Sequence, residues 1–360
     1  MKLHFNKLFI GIALLSLAFV ACDKKEQIDD QQGLIIKDGK ILLTAGYQPP
    51  VPDGKYTFNI MYRVCYFDAG DSVYINGVPY AVFPYDAGGD DESDQSSSWA
   101  RFWVDTNRSG LYKGLYPKSA FSSQISDYEN PTVIIPRRVK AINYNTSNAA
   151  VSVNAPVDGR VMPTTAFATT ANLEDSMIFR NTIAMLRLKM RYSTNFARAI
   201  DPNASQDNGW PVITFDSVRF ITPNHPLSGT GYIHNPYTTT PSSSEPLLVL
   251  NAGGDDTICY YFNDAVSLVA QAGDVDEPTS FDDKTVCFLP IIAMNDTPAT
   301  VEVHFTARFN NGADTAIAKH YVYTKGNTLH STRNMITTIF LNFLKKTDFT
   351  TRCREVQVNP

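Results

Sequence analysis

The sequence predicts an all-β protein built of two β-sandwich domains. Alternation is the first observation behind this. In KYTFNIMYRVCYF, Tyr56, Phe58, Ile60, Tyr62, Val64 and Tyr66 fall on one face, and Thr57, Asn59 and Arg63 on the other. That is the period of a strand with one buried face. Composition is the second: 18 Tyr, 21 Phe and abundant Thr and Ser suit pleated, half-buried strands better than helices. The third is the scarcity of helical periodicity. The best helix candidate is short, Phe262 to Gly273, with Asp264 near its start and Gly273 at its end. A chain of 360 residues exceeds one ordinary sandwich of about 100 residues, so two are expected.

The N-terminus reads as an address. Met1 to Lys7 is basic, and Leu8 to Ala21 is an unbroken apolar or small run. As a helix this run spans about 21 Å, short of the ~30 Å hydrocarbon core. It therefore reads as a signal-peptide core, residues 1–21. Phe19-Val20-Ala21-Cys22 then resembles a bacterial lipoprotein signal, with cleavage between Ala21 and Cys22 and lipid on Cys22. Residues 22–32 carry one apolar side chain, Ile28, and read as a flexible, lipid-anchored tether. Its acidic residues resemble a surface-export signal, so outer membrane and cell surface are the expected location. Cys65, Cys259, Cys287 and Cys353 remain. Four cysteines in an oxidising compartment allow three pairings, and unpaired thiols are equally open.

Beyond the tether, strand signals recur between turn residues. LIIKDGKILL has Asp38-Gly39 between two apolar arms, a hairpin signal. SVYING leads through a turn into VPYAVF. WARFWV, TVIIP, TIAMLRLKM, ITFDSVRFI, LLVL, TICYYF, TVCFLPII, ATVEVHFTARF and KHYVYT follow. Asp86 to Ser98 and Asn235 to Pro246 are polar loops within the halves. Thr164 to Ser176 is the polar stretch expected to separate them, giving domains at 33–170 and 171–360. The last residues, Lys345 to Pro360, alternate poorly and suggest a plain edge strand or a frayed tail.

Catalytic chemistry is absent from the sequence patterns. The formal net charge is −5, so no basic patch favours nucleic acid. None of His4, His225, His234, His304, His320 and His330 falls at metal-binding spacing. No nucleophile elbow or phosphate loop occurs. Asp90, Glu92 and Asp94 alternate, but Gln95 and Arg101 stand where a calcium loop needs Gly and Glu. Asp255-Asp256 and Asp282-Asp283 likewise read as solvated. No catalytic residue, metal or cofactor is therefore assigned, and the chain is expected not to be an enzyme. Trp99, Trp103 and Trp210 raise one alternative, a sugar-stacking platform on a glycan-binding lipoprotein. Trp99 and Trp103, four apart, would share a face.

Eight segments, taken in order, resemble the fimbrillin-like superfamily of type V pilus lipoproteins. They are VYINGVPYAVF (73–83), GLYKGLYPKSAF (110–121), TVIIPRRVKAINY (132–144), RVMPTTAFA (160–168), IFRNTIAMLRLKM (178–190), VRFITPNHPLSG (218–229), VCFLPII (286–292) and RNMITTIFLNF (333–343). The closest match places Phe179, Asn181, Ala184 and Leu186 at the family's spacing. The resemblance implies Greek-key, transthyretin-like sandwiches. It implies partner subunits joined by β-strand exchange, anchorage in the outer membrane through the N-terminal lipid, and adhesion to host or bacterial surface ligands, as in a fimbrium. The exchanged arm would be Leu34 to Gly46, seated at a sheet edge. Stalk members are cut after an Arg, whereas the first mature Arg here is Arg63, inside a strong strand. Among structural, anchor and accessory subunits, the chain thus leans toward an uncleaved anchor or accessory one, with cleavage at a Lys by a different protease as the alternative.

Overall fold

Two tight turns show local sequence setting strand register. Asp38 and Gly39 both take positive φ, 52° and 77°, and so do Asn76 and Gly77, at 50° and 82°. Two consecutive left-handed residues match the right-handed twist of flanking strands, and Asp-Gly and Asn-Gly adopt them readily. A computed structural model of the chain describes residues 27–29, 34–48, 51–52, 67, 70–85, 99–107, 110–121, 128–145, 163–169, 177–234, 247–281, 285–310, 317–333 and 335–357. Ala21, Cys22, Cys65, the run 56–66 and the 86–98 loop lie outside them.

The first sheet has ten strands. Its path runs β1 (Gln27–Asp29), β2 (Leu34–Lys37), β3 (Lys40–Gln48), β14 (Met177–Asn181), β13 (Thr164–Thr169), β9 (Leu111–Tyr116), β5 (Ser72–Ile75), β6 (Val78–Ala81). β8 (Trp99–Asp105) pairs with β3 and with β7 (Phe83–Tyr85). The sheet curls, bringing β6 to the end of β8, where the Tyr80 hydroxyl donates to Asp105 Oδ2 at 2.9 Å. Its inward side chains form one core that includes Ile41, Leu43, Val73, Phe102, Tyr112, Tyr116 and Phe179. Phe67 sits at its centre, 4.9 Å from Tyr116 and 5.5 Å from Phe179 between ring centroids.

The second half stacks two sheets. One has the order β11 (Arg138–Lys140), β19 (Thr257–Val269), β16 (Val212–Ile221), β21 (Met294–Phe309), β22 (Ile317–Ser331), β24 (Cys353–Val356). The other runs β12 (Ile142–Asn145), β20 (Thr285–Ile291), β15 (Ala184–Tyr192), β23 (Met335–Phe343), β4 (Val51–Pro52). Phe215, Phe305 and Phe343 meet between them at 5.6 to 6.3 Å. A third, small sheet is β10 (Thr132–Ile135), β17 (Gly229–Ile233), β18 (Leu248–Leu250). The all-β expectation therefore holds.

Strand pairing crosses residue 170 in both directions. β10, β11 and β12 pair with strands of the second half, while β14, from beyond residue 170, pairs with β3 and β13 in the first sheet. The polar stretch from Thr164 is thus partly a strand. Its small residues fit: Ala166 and Ala168 point inward, and the buried Thr164 hydroxyl donates to the Tyr116 carbonyl at 2.7 Å. Tyr74 and Leu115 of the first sheet belong to the larger core, so the halves share packing.

Three further expectations are corrected. Phe262 to Gly273 is not a helix, because β19 continues to Val269. Phe215 pairs with Val266 and Ser217 with Tyr261, so residues 262–265 face Asp216 alone. That four-residue bulge breaks the period of two and imitates helical spacing. Gln27–Asp29, inside the expected tether, pairs with β2. The C-terminal segment forms a helix, Lys346–Arg352, before its edge strand. Phe349 leaves the strand pattern to pack 5.4 Å from Phe196 and 5.2 Å from Tyr321.

Candidate functional site

The N-terminal arm occupies a central place, not the expected edge. After the Asp38-Gly39 turn, β3 enters the sheet with β8 antiparallel along one side, from Lys40↔Asp105 to Gly46↔Trp99. On its other side it meets β2 and then β14, the latter parallel from Ala45↔Met177. A nine-residue strand with two open sides is best satisfied by pairing on both. Ile41, Leu43 and Ala45 are 2%, 1% and 0% exposed. The arm thus fills a slot whose walls are β8 and β14 and whose floor is the first core. The other terminus closes an edge: β24 pairs with β22 and carries Glu355, whose carboxylate meets Lys319 at 3.0 Å. A charged pair of this kind guards an edge against further strand addition.

Trp99 and Trp103 do share a face, on the outer side of β8, where alternate residues are half-buried. Trp99 rests on the bare backbone of Gly46: a Cβ there would lie 3.0 Å from its ring. Lys37 stands 6.0 Å over Trp103. Trp210 packs instead against the core of the second half, 5.3 Å from the Arg198 guanidinium. The three rings therefore do not form one platform.

The titratable groups read as structural. His320 Nδ1 and the Thr306 hydroxyl are 2.8 Å apart, and that hydroxyl also donates to Asp216. Burial raises the Asp216 carboxyl pKa and lowers that of the His304 imidazole. No cluster of three metal-ligating side chains occurs among the described residues. Cys259 and Cys353 lie four strands apart in one sheet, about 19 Å at the usual strand spacing and too far for a disulfide. Burial pushes the Cys353 thiol up to about 12 and raises that of Cys287 as well. Neither is a poised nucleophile.

A cleft of about 550 Å³ opens beside the small sheet, and sequence reading missed it. Ile134 to Arg137, Ser228 to Thr230 and Asn251 to Asp255 line it. The Leu-Ser-Gly segment forms its back wall. Leu227 and Ser228 N–H groups donate to the Asp255 carbonyl at 2.8 and 3.1 Å, and the Asp255 N–H returns to Ser228 at 2.9 Å. Gly229 and Gly254 allow this approach. A Cβ on Gly254 would lie 2.8 Å from the Ser228 carbonyl oxygen, and one on Gly229 3.1 Å from Gly254 Cα. Arg137 and Asp255 join across the mouth at 3.0 Å, their side chains 64% and 33% exposed. Asp255 is fixed from behind, because its other oxygen accepts from Thr257 N–H at 3.1 Å. The glycines and the Asp255-Asp256 pair were visible signals, but the three lining segments are far apart in sequence.

No helix among the described residues is long and apolar enough to cross a membrane. No family model matches the chain, and no curated protein matches it. Similar solved structures include a candidate cell adhesion protein from Bacteroides ovatus, 10% identical, with a TM-score of 0.40 over 88% of this chain and 95% of that one. Another from Bacteroides uniformis is 9% identical, with a TM-score of 0.33 over 89% and 96%. A third, from Bacteroides eggerthii, is 14% identical, with a TM-score of 0.31 over 85% and 88%.

Proposed function

We propose that this chain is a non-enzymatic, lipid-anchored surface protein that serves as an anchor or accessory subunit of a pilus-like adhesive appendage. One observation carries the reading. The N-terminal strand β3 sits between β8 and β14 and sends Ile41, Leu43 and Ala45 into the core. A subunit without that strand would present two unpaired strand edges over an apolar slot, and a strand from a neighbouring subunit repairs both defects. Burying Ile41 and Leu43 alone is worth about 1.5–3 kcal/mol each. The fimbrillin-like motifs support the same reading, and the Val20-Ala21-Cys22 signal supports an outer-membrane lipid anchor on Cys22.

The test removes Leu34 to Gly46 and follows the protein by size exclusion, with a synthetic Leu34–Gly46 peptide as rescue. The shortened chain should self-associate, and the peptide should return it to a monomer. A monomeric deletion of unchanged stability would end the strand-exchange reading. The anchor is tested separately. Wild type should incorporate labelled palmitate and Cys22→Ser should not, whereas equal labelling would place the lipid elsewhere or nowhere.

A further inference from the structure

We propose that the cleft bounded by Ile134–Arg137, Ser228–Thr230 and Asn251–Asp255, together with the ring of Tyr232 on the adjoining strand face, is a binding site for a neutral saccharide. The site is built before any ligand arrives. Asn251 N–H donates to the Thr230 carbonyl at 2.9 Å, Gly254 N–H to Asn251 at 3.0 Å, and Cys259 N–H to Arg137 at 2.8 Å. These bonds tie each lining segment to another strand or turn. The cleft volume, about 550 Å³, falls within the roughly 300–1,000 Å³ of small-ligand sites.

Charge decides against an ion. Among the described residues lining the cleft, Arg137 and Asp255 alone are charged, and their pairing at 3.0 Å offsets one charge with the other. Together they still present N–H donors and carboxylate acceptors side by side. With the Asn251 amide and the Thr230 hydroxyl, that set matches vicinal hydroxyl groups, each of which both donates and accepts.

The apolar half lies on the adjoining strand face. Tyr232 follows Thr230 by two residues, so both point to the same side of β17, about 7 Å apart. The register sets Ile134 opposite Thr230, and Tyr232 opposite Val249 and Thr132. Ile134 is 56% and Tyr232 36% exposed. No strand residue on this face, which comprises Thr132, Ile134, Thr230, Tyr232 and Val249, is charged. An exposed ring beside hydroxyl and amide groups is complementary to a pyranose, which has a C–H face and a hydroxyl rim.

The experiment uses the full mature chain in affinity electrophoresis. The gels contain a neutral glucan, mannan or galactan, with polygalacturonate as the anionic comparator. At least one neutral polymer should retard the protein. Tyr232→Ala and Arg137→Ala should each weaken that retardation about tenfold with an unchanged melting temperature, while Trp103→Ala should leave it intact. The proposal is overturned if no neutral polymer retards the wild type, if only polygalacturonate does, or if Trp103→Ala abolishes binding that Tyr232→Ala leaves intact. All arms use the intact monomer, so none depends on strand exchange.

Discussion

The two cores of this molecule are assembled from different parts of the chain. The first is a single curled sheet, and three of its inward side chains come from one N-terminal strand, β3. The second is a two-sheet sandwich whose described core residues in the stacked strands run from Val139 onward, and β4 pairs at its edge through Val51–Pro52. Among the described residues, the first core therefore draws on β3 and the second does not.

The largest effect expected from this comparison is the loss of β3. Without Leu34 to Gly46, two transitions should separate in calorimetry: the first half melts early and the second near its wild-type temperature. Simultaneous collapse of both would show that the Tyr74 and Leu115 contacts with the larger core bind the halves into one cooperative unit.

Paired core truncations sharpen the same point. Phe179 and Phe343 are both fully buried, one in each core. Each Phe→Ala change should cost about 3–5 kcal/mol. Phe179→Ala should act on the first half and Phe343→Ala on the second, as read by hydrogen exchange of β9 and β21. Equal loss of protection in both strands from either variant would erase the distinction.

Much of the fold was legible where local chemistry settles the outcome. Asp38-Gly39 and Asn76-Gly77 announce their hairpins because left-handed backbone suits those residues. Ile213, Phe215, Val218 and Phe220 announce β16 by burial on one face. Legibility failed where a distant partner decides. The 262–265 bulge exists only opposite Asp216, and Thr164 is acceptable in a core only because the Tyr116 carbonyl takes its hydroxyl proton. Neither partner is near in sequence. The cleft escaped for the same reason, since its wall is a backbone-to-backbone approach between two glycines 25 residues apart, Gly229 and Gly254.

Smaller effects test the details. The bond from Tyr80 to Asp105 joins the curled edge of the first sheet to the end of β8. Tyr80→Phe should cost roughly 0.5–1.5 kcal/mol and move only the first-half transition. A shift of the second-half transition instead would misplace this bond.

The smallest effect concerns acid. Burial, reinforced by repulsion from Arg219, lowers the His304 imidazole below its ordinary 6.5. The folded state then favours the neutral ring. That contribution is complete above 6.5 and is lost as pH falls through the lowered value. Asp216 has the opposite sign, because partial desolvation raises its carboxyl pKa, so acidification relieves the cost of its charge. His304→Gln should therefore shrink the fall in melting temperature between about pH 7.5 and pH 5.5. A larger fall in the variant would reverse the assignment.

The joint between the two halves has a mechanical consequence. β14 ends at Asn181 in the first sheet and β15 begins at Ala184 in the second. β3 and β4, separated by two residues, make the same crossing. β3 runs parallel to β14, and β15 runs parallel to β23, which in turn runs parallel to β4. A load applied along these strands is carried by two short connections, of two residues each. Their ladders are then stressed lengthwise, in shear, so the bonds must yield together and not open one after another like a zip. Pulled from its ends in a single-molecule force experiment, such a body is expected to hold rigidly and then give way abruptly.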